Sequence, residues 1–259
     1  MGLMSTLRRM DERLLGGALL RARHGWLRGR AVAGIEQRSP RRYVVHYGGS
    51  RGELSSLCER YGSDKGWADE TRPRPFPWPP HTYADYYGRL FDHCRSGVRR
   101  VFECGIGTNR SAFPDNMGAA GRPGASLRVW RDYFPNAQVY GADIDAEILF
   151  REERIETYQA DQTSPASIKS LWERIGVGGF DLMVDDGLHT FEAGVCLFEH
   201  SHAKLAPGGI YAIEDVTLTD LARYQDHFAS SRHQVDFVDL HCPNAAVNSV
   251  NAMVVIRNA

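Results

Sequence analysis

The chain has 259 residues, enough to bury a full hydrophobic core and to form one α/β domain with an appendage. Its 31 Lys and Arg residues nearly balance its 32 Asp and Glu residues, so the net charge of -1 gives no indication of nucleic-acid binding. The five cysteines are widely spaced and form no CxxC pattern, which argues against a structural zinc site and favours a reducing cytoplasm, and no run of about 18 apolar residues predicts a membrane span.

Residues 1–55 are predicted to form a basic N-terminal arm. The first fifty residues carry ten arginines against three acidic residues, and their leucines recur at roughly helical spacing. Arginines interrupt the leucine-rich stretch, which argues against a secretory signal. A basic amphipathic helix of this kind can contact an anionic membrane surface or hold a partner. The alternative is an arm that packs on its own domain or on a sister subunit of a homo-oligomer.

Residues 56–97 follow as a predicted region of helix and loop that could close over a ligand site. They contain Gly62-Ser63-Asp64-Lys65, five prolines from Pro73 to Pro80, and an aromatic cluster that begins after His81. Prolines preorganise an irregular segment, and the aromatic rings beside it could stack against a ligand. Lys65 and His81 are therefore candidate pocket residues, although a packed helix with core tyrosines explains the same pattern.

The remainder, residues 98–259, alternates strand-like and helical segments. The predicted strands are 99–105, 138–143, 155–161, the runs that end at Asp185-Asp186 and Glu214-Asp215, 235–240 and 252–256, and the predicted helices are 126–133, 165–175, 191–204 and 218–230. This alternation predicts a doubly wound, Rossmann-like α/β fold with a seven-stranded, mostly parallel sheet and an N-terminal helical extension. The link between the last two strands is too short for a helical crossover, so the last strand should be antiparallel.

Paired carboxylates end two neighbouring apolar runs, at Asp185-Asp186 and at Glu214-Asp215. Short apolar runs of this kind are typical of buried strands in a parallel sheet, and ligands bind at the carboxyl ends of such strands. Four carboxylates that converge there would repel one another unless a cation or a proton intervenes. The pairs therefore predict a hard divalent metal ion at this edge of the sheet, with His189 beside it.

The first three strands of residues 98–259 carry the signals of a cofactor site. Glu103-x-Gly105-x-Gly107 follows the first strand, Asp143 ends the second, and Asp161-Gln162 ends the third. The carboxylate of Asp143 can accept hydrogen bonds from both hydroxyls of a ribose. The polar groups of Asp161-Gln162 are suited to hydrogen bonds with the edge of an adenine ring. A nicotinamide fingerprint would have a third glycine where this chain has Arg110, with a helix starting at once. The three signals therefore match S-adenosylmethionine methyltransferases better than dehydrogenases.

Longer motifs extend this match over about residues 60–216. They are Gly62-Ser63-Asp64-Lys65, 102–107, 125–130, Tyr133-Phe134-Pro135, 139–145, Asp161-Gln162, Asp185-Asp186-Gly187-x-His189 and 207–215. With these motifs the sequence resembles the metal-dependent sugar O-methyltransferases of the macrocin and mycinamicin O-methyltransferase type, which belong to the class I S-adenosylmethionine-dependent methyltransferases. Two features depart from that pattern: the family usually has serine at the position of Leu188, and the pattern assigns no place to the loop of residues 108–123.

The resemblance implies roles for individual residues. Gly105, Ser126, Asp143 and Asp161 would line the S-adenosylmethionine site, and we add Glu103, Gly107, Gln162 and Asp185 as candidates on the same side. Asp186, Glu214 and Asp215 would hold Mg²⁺ or Mn²⁺, with His189 as the general base and Asp186 acting in catalysis. Asp185 is expected to support the site rather than to ligate the metal.

The chemistry of the predicted site fits that reaction. An alcohol is a poor nucleophile, and a divalent ion lowers the pKa of a bound hydroxyl and fixes its position. A vicinal diol of a sugar-containing acceptor could chelate the ion, while His189 takes the proton. The alternatives are a catechol-type small-molecule O-methyltransferase, a nicotinamide oxidoreductase and a non-catalytic cofactor-binding scaffold.

Overall fold

The described part of the protein comprises residues 43–47, 52–67, 72–113, 116–241 and 250–258 of a computed structural model. Within the chain, Val44–Ala259 forms one compact unit. The basic arm predicted for residues 1–55 lies outside the described residues up to position 42. Its membrane and subunit contacts remain predictions.

Nine strands form one sheet within the described residues. They are β1 (Tyr43–Tyr47), β2 (Arg100–Cys104), β3 (Gln138–Asp143), β4 (Arg151–Glu152), β5 (Ile155–Gln159), β6 (Phe180–Asp185), β7 (Leu205–Ile213), β8 (Gln234–His241) and β9 (Ala252–Arg257). Their order across the sheet is β1-β8-β9-β7-β6-β2-β3-β5-β4. All seven predicted strands are present, and the additional strands β1 and β4 lie at the two edges of the sheet.

The central strands run parallel and end in register. Cys104 at the end of β2 aligns with Asp185 of β6, and Asp185 aligns with Ile213 of β7. The residues that follow these strands, Gly105, Asp186 and Glu214, therefore meet at one edge of the sheet. Strand β9 pairs antiparallel with both β7 and β8, as the short link between β8 and β9 predicts.

Six α-helices of the described chain surround the sheet. They are α1 (Glu53–Tyr61), α2 (Tyr83–Phe91), α3 (Ala125–Tyr133), α4 (Pro165–Ile175), α5 (Phe191–Ser201) and α6 (Leu218–His227). Side chains cap three helices at their first turns: Ser164 accepts from the Ser167 N–H, Thr190 from Ala193, and Thr217 from Asp220. Among the described helices, none combines the length and the apolar character that crossing a lipid bilayer requires.

The N-terminal helices and the sheet share one hydrophobic core. Leu54 of α1, Tyr87 of α2 and Trp130 of α3 are buried in the same cluster as Val101 of β2. The Tyr87 and Trp130 rings meet edge to face, with their centroids 5.2 Å apart. Helix α1 crosses the domain boundary predicted after residue 55, because its apolar face is part of this core. Helices α1 and α2 are consequently packed against the sheet through this core.

Candidate metal and cofactor site

A cavity of about 600 Å³ opens at the carboxyl edge of the parallel strands. Cavities of this size hold ligands as large as nucleotide cofactors. The predicted site residues that line it are Gly105, Gly107, Asp143, Asp161, Gln162, Asp186, His189 and Asp215. Of the other predicted residues, all of which the structure describes, Glu103, Ser126, Asp185 and Glu214 lie outside this lining.

The turn after β2 brings backbone against backbone. Gly105 has φ of +85°, and a Cβ atom built there would lie 2.0 Å from the carbonyl oxygen of Asp186. Gly107 also has a left-handed conformation, with φ of +79°. Only glycine combines this conformation with such a close approach. The turn therefore places its bare backbone at the cavity, as the sequence motif predicts.

Asp143 is held in place by two backbone donors at the end of β3. Its Oδ2 accepts from the Ile106 N–H at 2.9 Å, and its Oδ1 accepts from the Asp145 N–H at 2.9 Å. The side chain is buried, and burial raises the pKa of its carboxyl group. The carboxylate orientation is thus fixed, and the residue still lines the cavity. This geometry is compatible with the predicted bonds to ribose hydroxyls.

Gln162 connects the end of β5 to the turn after β6. Its Nε2 donates to Asp185 Oδ1 at 3.1 Å, and its Oε1 accepts from the Leu188 N–H at 2.8 Å. Asp185 is buried behind this amide and supports the turn. Neighbouring Asp161 accepts from the backbone N–H and the hydroxyl of Thr163. Both residues at the end of β5 therefore stabilise local turns as well as facing the cavity.

Glu103 and Ser126 are placed away from the cavity. Glu103 is fully buried, its Oε2 accepts from Trp130 Nε1 at 2.6 Å, and its Oε1 lies 3.3 Å from Lys65 Nζ. Side chains alternate between the faces of a strand, which separates Glu103 from Cys104 at the cavity. Ser126 lies in the buried first turn of α3. The cofactor contacts of these two residues remain predictions.

The described residues of the loop 108–123 line part of the cavity. Its first residue is fixed by a hydrogen bond from Thr108 Oγ1 to Asp145 Oδ2 at 2.6 Å, and the Met117 N–H donates to the Thr108 carbonyl. Phe113 and Met117 line the cavity. Leu188, the other departure from the family pattern, also lines it and is 38% exposed. These side chains give the cavity apolar walls beside its acids.

Asp186, His189 and Asp215 converge at the ends of β6 and β7. One ligand atom from each of these side chains lies within 4.8 Å of those of the other two. His189 Nε2 is 3.7 Å from Asp215 Oδ2. His189 and Asp215 adopt left-handed backbone conformations, with φ of 55° and 52°, which cost free energy in residues other than glycine. The carboxylates of Asp186 and Asp215 suit a hard divalent cation such as Mg²⁺ or Mn²⁺, so these two residues fit the predicted metal, with the His189 imidazole beside them.

The third predicted metal ligand, Glu214, is directed into the protein interior. Its Oε2 accepts a short hydrogen bond from Lys65 Nζ, and its Oε1 accepts from the Tyr87 hydroxyl at 2.7 Å. Burial raises the pKa of Glu214 to about 7, although the nearby Lys65 lowers it. Both oxygens of Glu214 are therefore engaged by the N-terminal segment, and its role as a metal ligand remains a prediction.

Lys65 supplies a buried positive charge to this group of acids. Its Nζ also lies 2.7 Å from Asp186 Oδ2. Burial alone would lower the pKa of Lys65, but Asp186, Glu214 and Glu103 raise it well above its ordinary value. The ammonium therefore stays charged and neutralises part of the acid cluster. The sequence predicts Lys65 as a candidate pocket residue, but it does not predict that Lys65 pairs with the predicted metal ligands.

Asp215 is held by two aromatic residues of the same N-terminal segment. The Tyr83 hydroxyl donates to its Oδ1 at 2.8 Å and accepts from its backbone N–H at 3.0 Å, while His81 Nε2 is 3.3 Å from Oδ1. Burial would raise the pKa of Asp215, yet the charges of His81 and His189 hold it below its ordinary value. Described residues on both sides of positions 68–71 in this segment therefore contact the acids of the site, and Tyr83 and Tyr87 are core residues, as the packed-helix alternative predicts. Stacking of the aromatic cluster against a ligand remains a prediction.

No family model matches the chain. Curated relatives are 8-demethyl-8-alpha-L-rhamnosyl tetracenomycin-C 2'-O-methyltransferase of Streptomyces olivaceus, 37% identical over 163 residues, and demethylmacrocin O-methyltransferase of Streptomyces fradiae, 35% identical over 164 residues. A third, mycinamicin VI 2''-O-methyltransferase of Micromonospora griseorubida, is 32% identical over 170 residues. These matches cover 63 to 65% of this chain but only 36 to 37% of the relatives, so the chain spans little more than a third of their length.

Solved structures agree on the fold. The MycE methyltransferase from the mycinamycin biosynthetic pathway, in complex with Mg and SAH, superposes with a TM-score of 0.56 at 24% identity, over 82% of this chain and 56% of that one. The same enzyme in complex with Mg, SAH and mycinamycin VI gives a TM-score of 0.55. The fold is thus Rossmann-like, as predicted, and over most of its described length the chain is similar to O-methyltransferases of sugar-bearing natural products.

Proposed function

We propose that the protein is an S-adenosylmethionine-dependent and Mg²⁺-dependent O-methyltransferase that methylates a sugar hydroxyl of a glycoside. One observation carries the proposal: a single cavity joins the glycine turn and Asp143 to the cluster of Asp186, His189 and Asp215. A methyl donor at the first group and an acceptor hydroxyl at the second would lie side by side. The curated relatives, which are O-methyltransferases of glycosylated natural products, support the same conclusion.

The cofactor half of the cavity comprises the ends of β2, β3 and β5. The glycine turn leaves room for a ligand against the backbone at Gly105 and Gly107, and the fixed carboxylate of Asp143 can accept from two ribose hydroxyls. Asp161 and Gln162 border the space where a base would lie. S-adenosylmethionine supplies an electrophilic methyl group on a positively charged sulfur.

The acceptor half comprises the ends of β6 and β7. A Mg²⁺ or Mn²⁺ ion held by Asp186 and Asp215 would lower the pKa of an acceptor hydroxyl. His189 is placed to take the hydroxyl proton as the oxygen–methyl bond forms and the sulfur–methyl bond breaks. Its ring faces Asp215, whose carboxylate stabilises the resulting imidazolium. Holding the donor and the acceptor hydroxyl side by side in one cavity would supply the alignment that methyl transfer needs.

A mass-spectrometric assay tests the proposal directly. The protein is incubated with S-adenosylmethionine and a panel of glycosides, catechols and simple diols, with Mg²⁺ or with EDTA, and products are searched for a gain of about one methylene group. We expect methylated glycosides only with Mg²⁺. Full turnover in EDTA would contradict the metal-dependent reaction, and methylation of catechols alone would point to the catechol-type alternative.

Two histidine variants distinguish the loss of a catalytic base from a general loss of folded protein. His189→Ala should lower turnover by roughly 10² to 10⁴-fold, the usual contribution of a positioned general base. His200→Ala is the matched control, because His200 is exposed and bonds only the Cys196 carbonyl of its own helix in the described structure. Equal activity of the two variants would exclude His189 as the base.

We also propose that the enzyme acts in the cytoplasm. Its described cysteines, Cys58, Cys94, Cys104 and Cys196, are all free thiols, which is compatible with a reducing compartment. A homo-oligomer and a peripheral membrane contact through the N-terminal arm remain predictions. Size-exclusion chromatography with light scattering, and liposome binding before and after deletion of residues 1–40, test them.

A further inference from the structure

We propose that Asp64 and Trp78 form the sugar-binding subsite of the cavity and select a neutral pyranose. This inference rests on the proposed function, since it concerns the acceptor of that reaction. Both residues line the cavity, and neither is needed for the cofactor half or for the acid cluster. They come from the segment between α1 and α2.

Both residues lie on the acceptor side of the cavity. His81 Nε2 is 3.3 Å from Asp215 Oδ1 and 3.9 Å from Asp64 Oδ2, so the same imidazole nitrogen lies near both Asp64 and the acid cluster. The cofactor half is on the other side, at the ends of β3 and β5. A sugar whose hydroxyl reaches Asp186 and Asp215 would therefore extend its ring toward Asp64 and Trp78.

The pair is rigid before any ligand binds. Trp78 Nε1 donates to Asp64 Oδ2 at 2.6 Å, and the Asp64 carbonyl accepts from the His81 N–H at 2.7 Å. The Trp78 ring also stacks on buried Phe76, with centroids 6.1 Å apart. The prolines on either side of Trp78 restrict the backbone further. A preorganised pair loses little conformational entropy when a ligand binds.

The chemistry of the pair matches a pyranose. A carboxylate accepts hydrogen bonds from ring hydroxyls, and the flat face of an indole packs against the C–H face of the sugar. Among the described residues, the side-chain contacts of Asp64 go to Oδ2, so Oδ1 is the oxygen we assign to a ligand hydroxyl, and the side chain is 16% exposed. Trp78 is half-buried, so part of its surface is open. The negative charge of Asp64 repels an anionic sugar, and the subsite should therefore reject uronic acids.

A binding experiment tests the subsite without turnover. Saturation-transfer NMR is recorded with the whole protein, Mg²⁺ and S-adenosylhomocysteine, using methyl α-L-rhamnopyranoside and methyl β-D-glucuronide as probes. We expect contacts with the rhamnoside and none with the glucuronide. Asp64→Asn and Trp78→Ala should each reduce the rhamnoside signal at least fivefold, whereas Trp78→Phe, which keeps an aromatic face, should retain more of it.

A second Trp–Asp pair in the same segment provides the matched control. Trp67 Nε1 donates to Asp85 Oδ2 at 3.1 Å, and Trp67 does not line the cavity. Trp67→Phe should leave the rhamnoside signal unchanged. Calorimetry with S-adenosylhomocysteine checks that each variant is folded, because a folded variant keeps the wild-type affinity for this ligand. Wild-type signals in Asp64→Asn and Trp78→Ala, or no rhamnoside contact in the wild type, would overturn the subsite. If the variants lose sugar binding but the wild type transfers no methyl group, the subsite stands and the proposed function fails.

Discussion

Lys65 Nζ lies 2.7 Å from Asp186 Oδ2, and the two residues are 121 positions apart in the chain. The same ammonium bonds Glu214 and lies 3.3 Å from Glu103, so one buried cation is shared by three acids. Repulsion among the carboxylates at this edge of the sheet is therefore relieved in part by the protein itself. A bound metal ion has less negative charge to neutralise than the sequence alone indicates.

Lys65→Met should destabilise the metal-free protein. Removing one partner of a buried ion pair leaves uncompensated charge and costs about 3–5 kcal/mol. Mn²⁺ should bind more tightly to this variant, because Lys65 no longer competes for Asp186 and Glu214. Chemical denaturation in EDTA measures the first effect, and paramagnetic resonance of free Mn²⁺ the second.

Lys65→Arg is the control for this prediction, since it keeps the charge at the same position. Its Mn²⁺ affinity should stay closer to that of the wild type than the affinity of Lys65→Met does. If Lys65→Met unfolds like the wild type in EDTA and binds Mn²⁺ no more tightly, the ammonium does not act as the counter-ion of the cluster.

The stability of the metal-free protein should fall as the pH rises from about 5 to 8. Burial raises the pKa of Glu214 to about 7, above its ordinary value of 4.5. A group with a raised pKa in the folded state binds its proton more tightly there, so its stabilisation is complete below the unfolded pKa and is lost as the pH passes the folded pKa. The loss should not exceed about 3 kcal/mol.

Thermal unfolding in EDTA across this pH range measures the effect. Glu214→Gln mimics the protonated carboxyl group and should reduce the slope of the profile between pH 5 and 8, while Asp186, whose pKa burial also raises, contributes the remaining slope. A wild-type profile that rises over the same range, or a Glu214→Gln profile with the same slope as the wild type, would show that another group controls this pH dependence.

The local structure of this protein follows closely from its sequence. Apolar runs of strand length predicted the seven long strands, and helix α4 occupies the predicted range, between Pro165 in its first turn and Gly176 with φ of 70° at its end. Strand β4 has only two residues, which is too short for a periodic pattern. Strand β1 has the β-branched and aromatic residues of a strand, but it lies inside the region predicted as a basic arm.

The candidate site was predictable at the level of strand ends and not at the level of side-chain partners. Parallel topology alone brings Gly105, Asp143 and Asp186 to one edge of the sheet. Which side chain turns inward depends on contacts between distant segments. Glu214 faces Tyr87 and Lys65, 127 and 149 positions away, and no local pattern encodes those contacts.

Trp130→Phe should destabilise the protein by about 1 kcal/mol more than Trp172→Phe, because hydrogen bonds to charged acceptors contribute more than those to neutral acceptors. Trp130 Nε1 donates to the buried carboxylate of Glu103 at 2.6 Å, whereas Trp172 Nε1 donates to the hydroxyl of Ser201 at 3.0 Å. Both indoles are buried, so the loss of apolar area is similar. Urea denaturation of the two variants measures the difference, and equal free energies of unfolding would mean that Glu103 is compensated by Lys65 alone.

Gly105→Ala should abolish cofactor binding, while Gly208→Ala should not. Both glycines have positive φ, +85° and +73°, so alanine introduces backbone strain of roughly 1–2 kcal/mol at each position. At Gly105 the new methyl group would also lie 2.0 Å from the Asp186 carbonyl, whereas at Gly208 nothing lies within 4 Å. The clash pushes the turn after β2 away from Asp186. The affinity of Gly105→Ala for S-adenosylhomocysteine, measured by calorimetry, should therefore fall at least tenfold. Gly208→Ala isolates the cost of strain, and equal affinities of the two variants would mean that the close approach at Gly105 has no part in holding the cofactor.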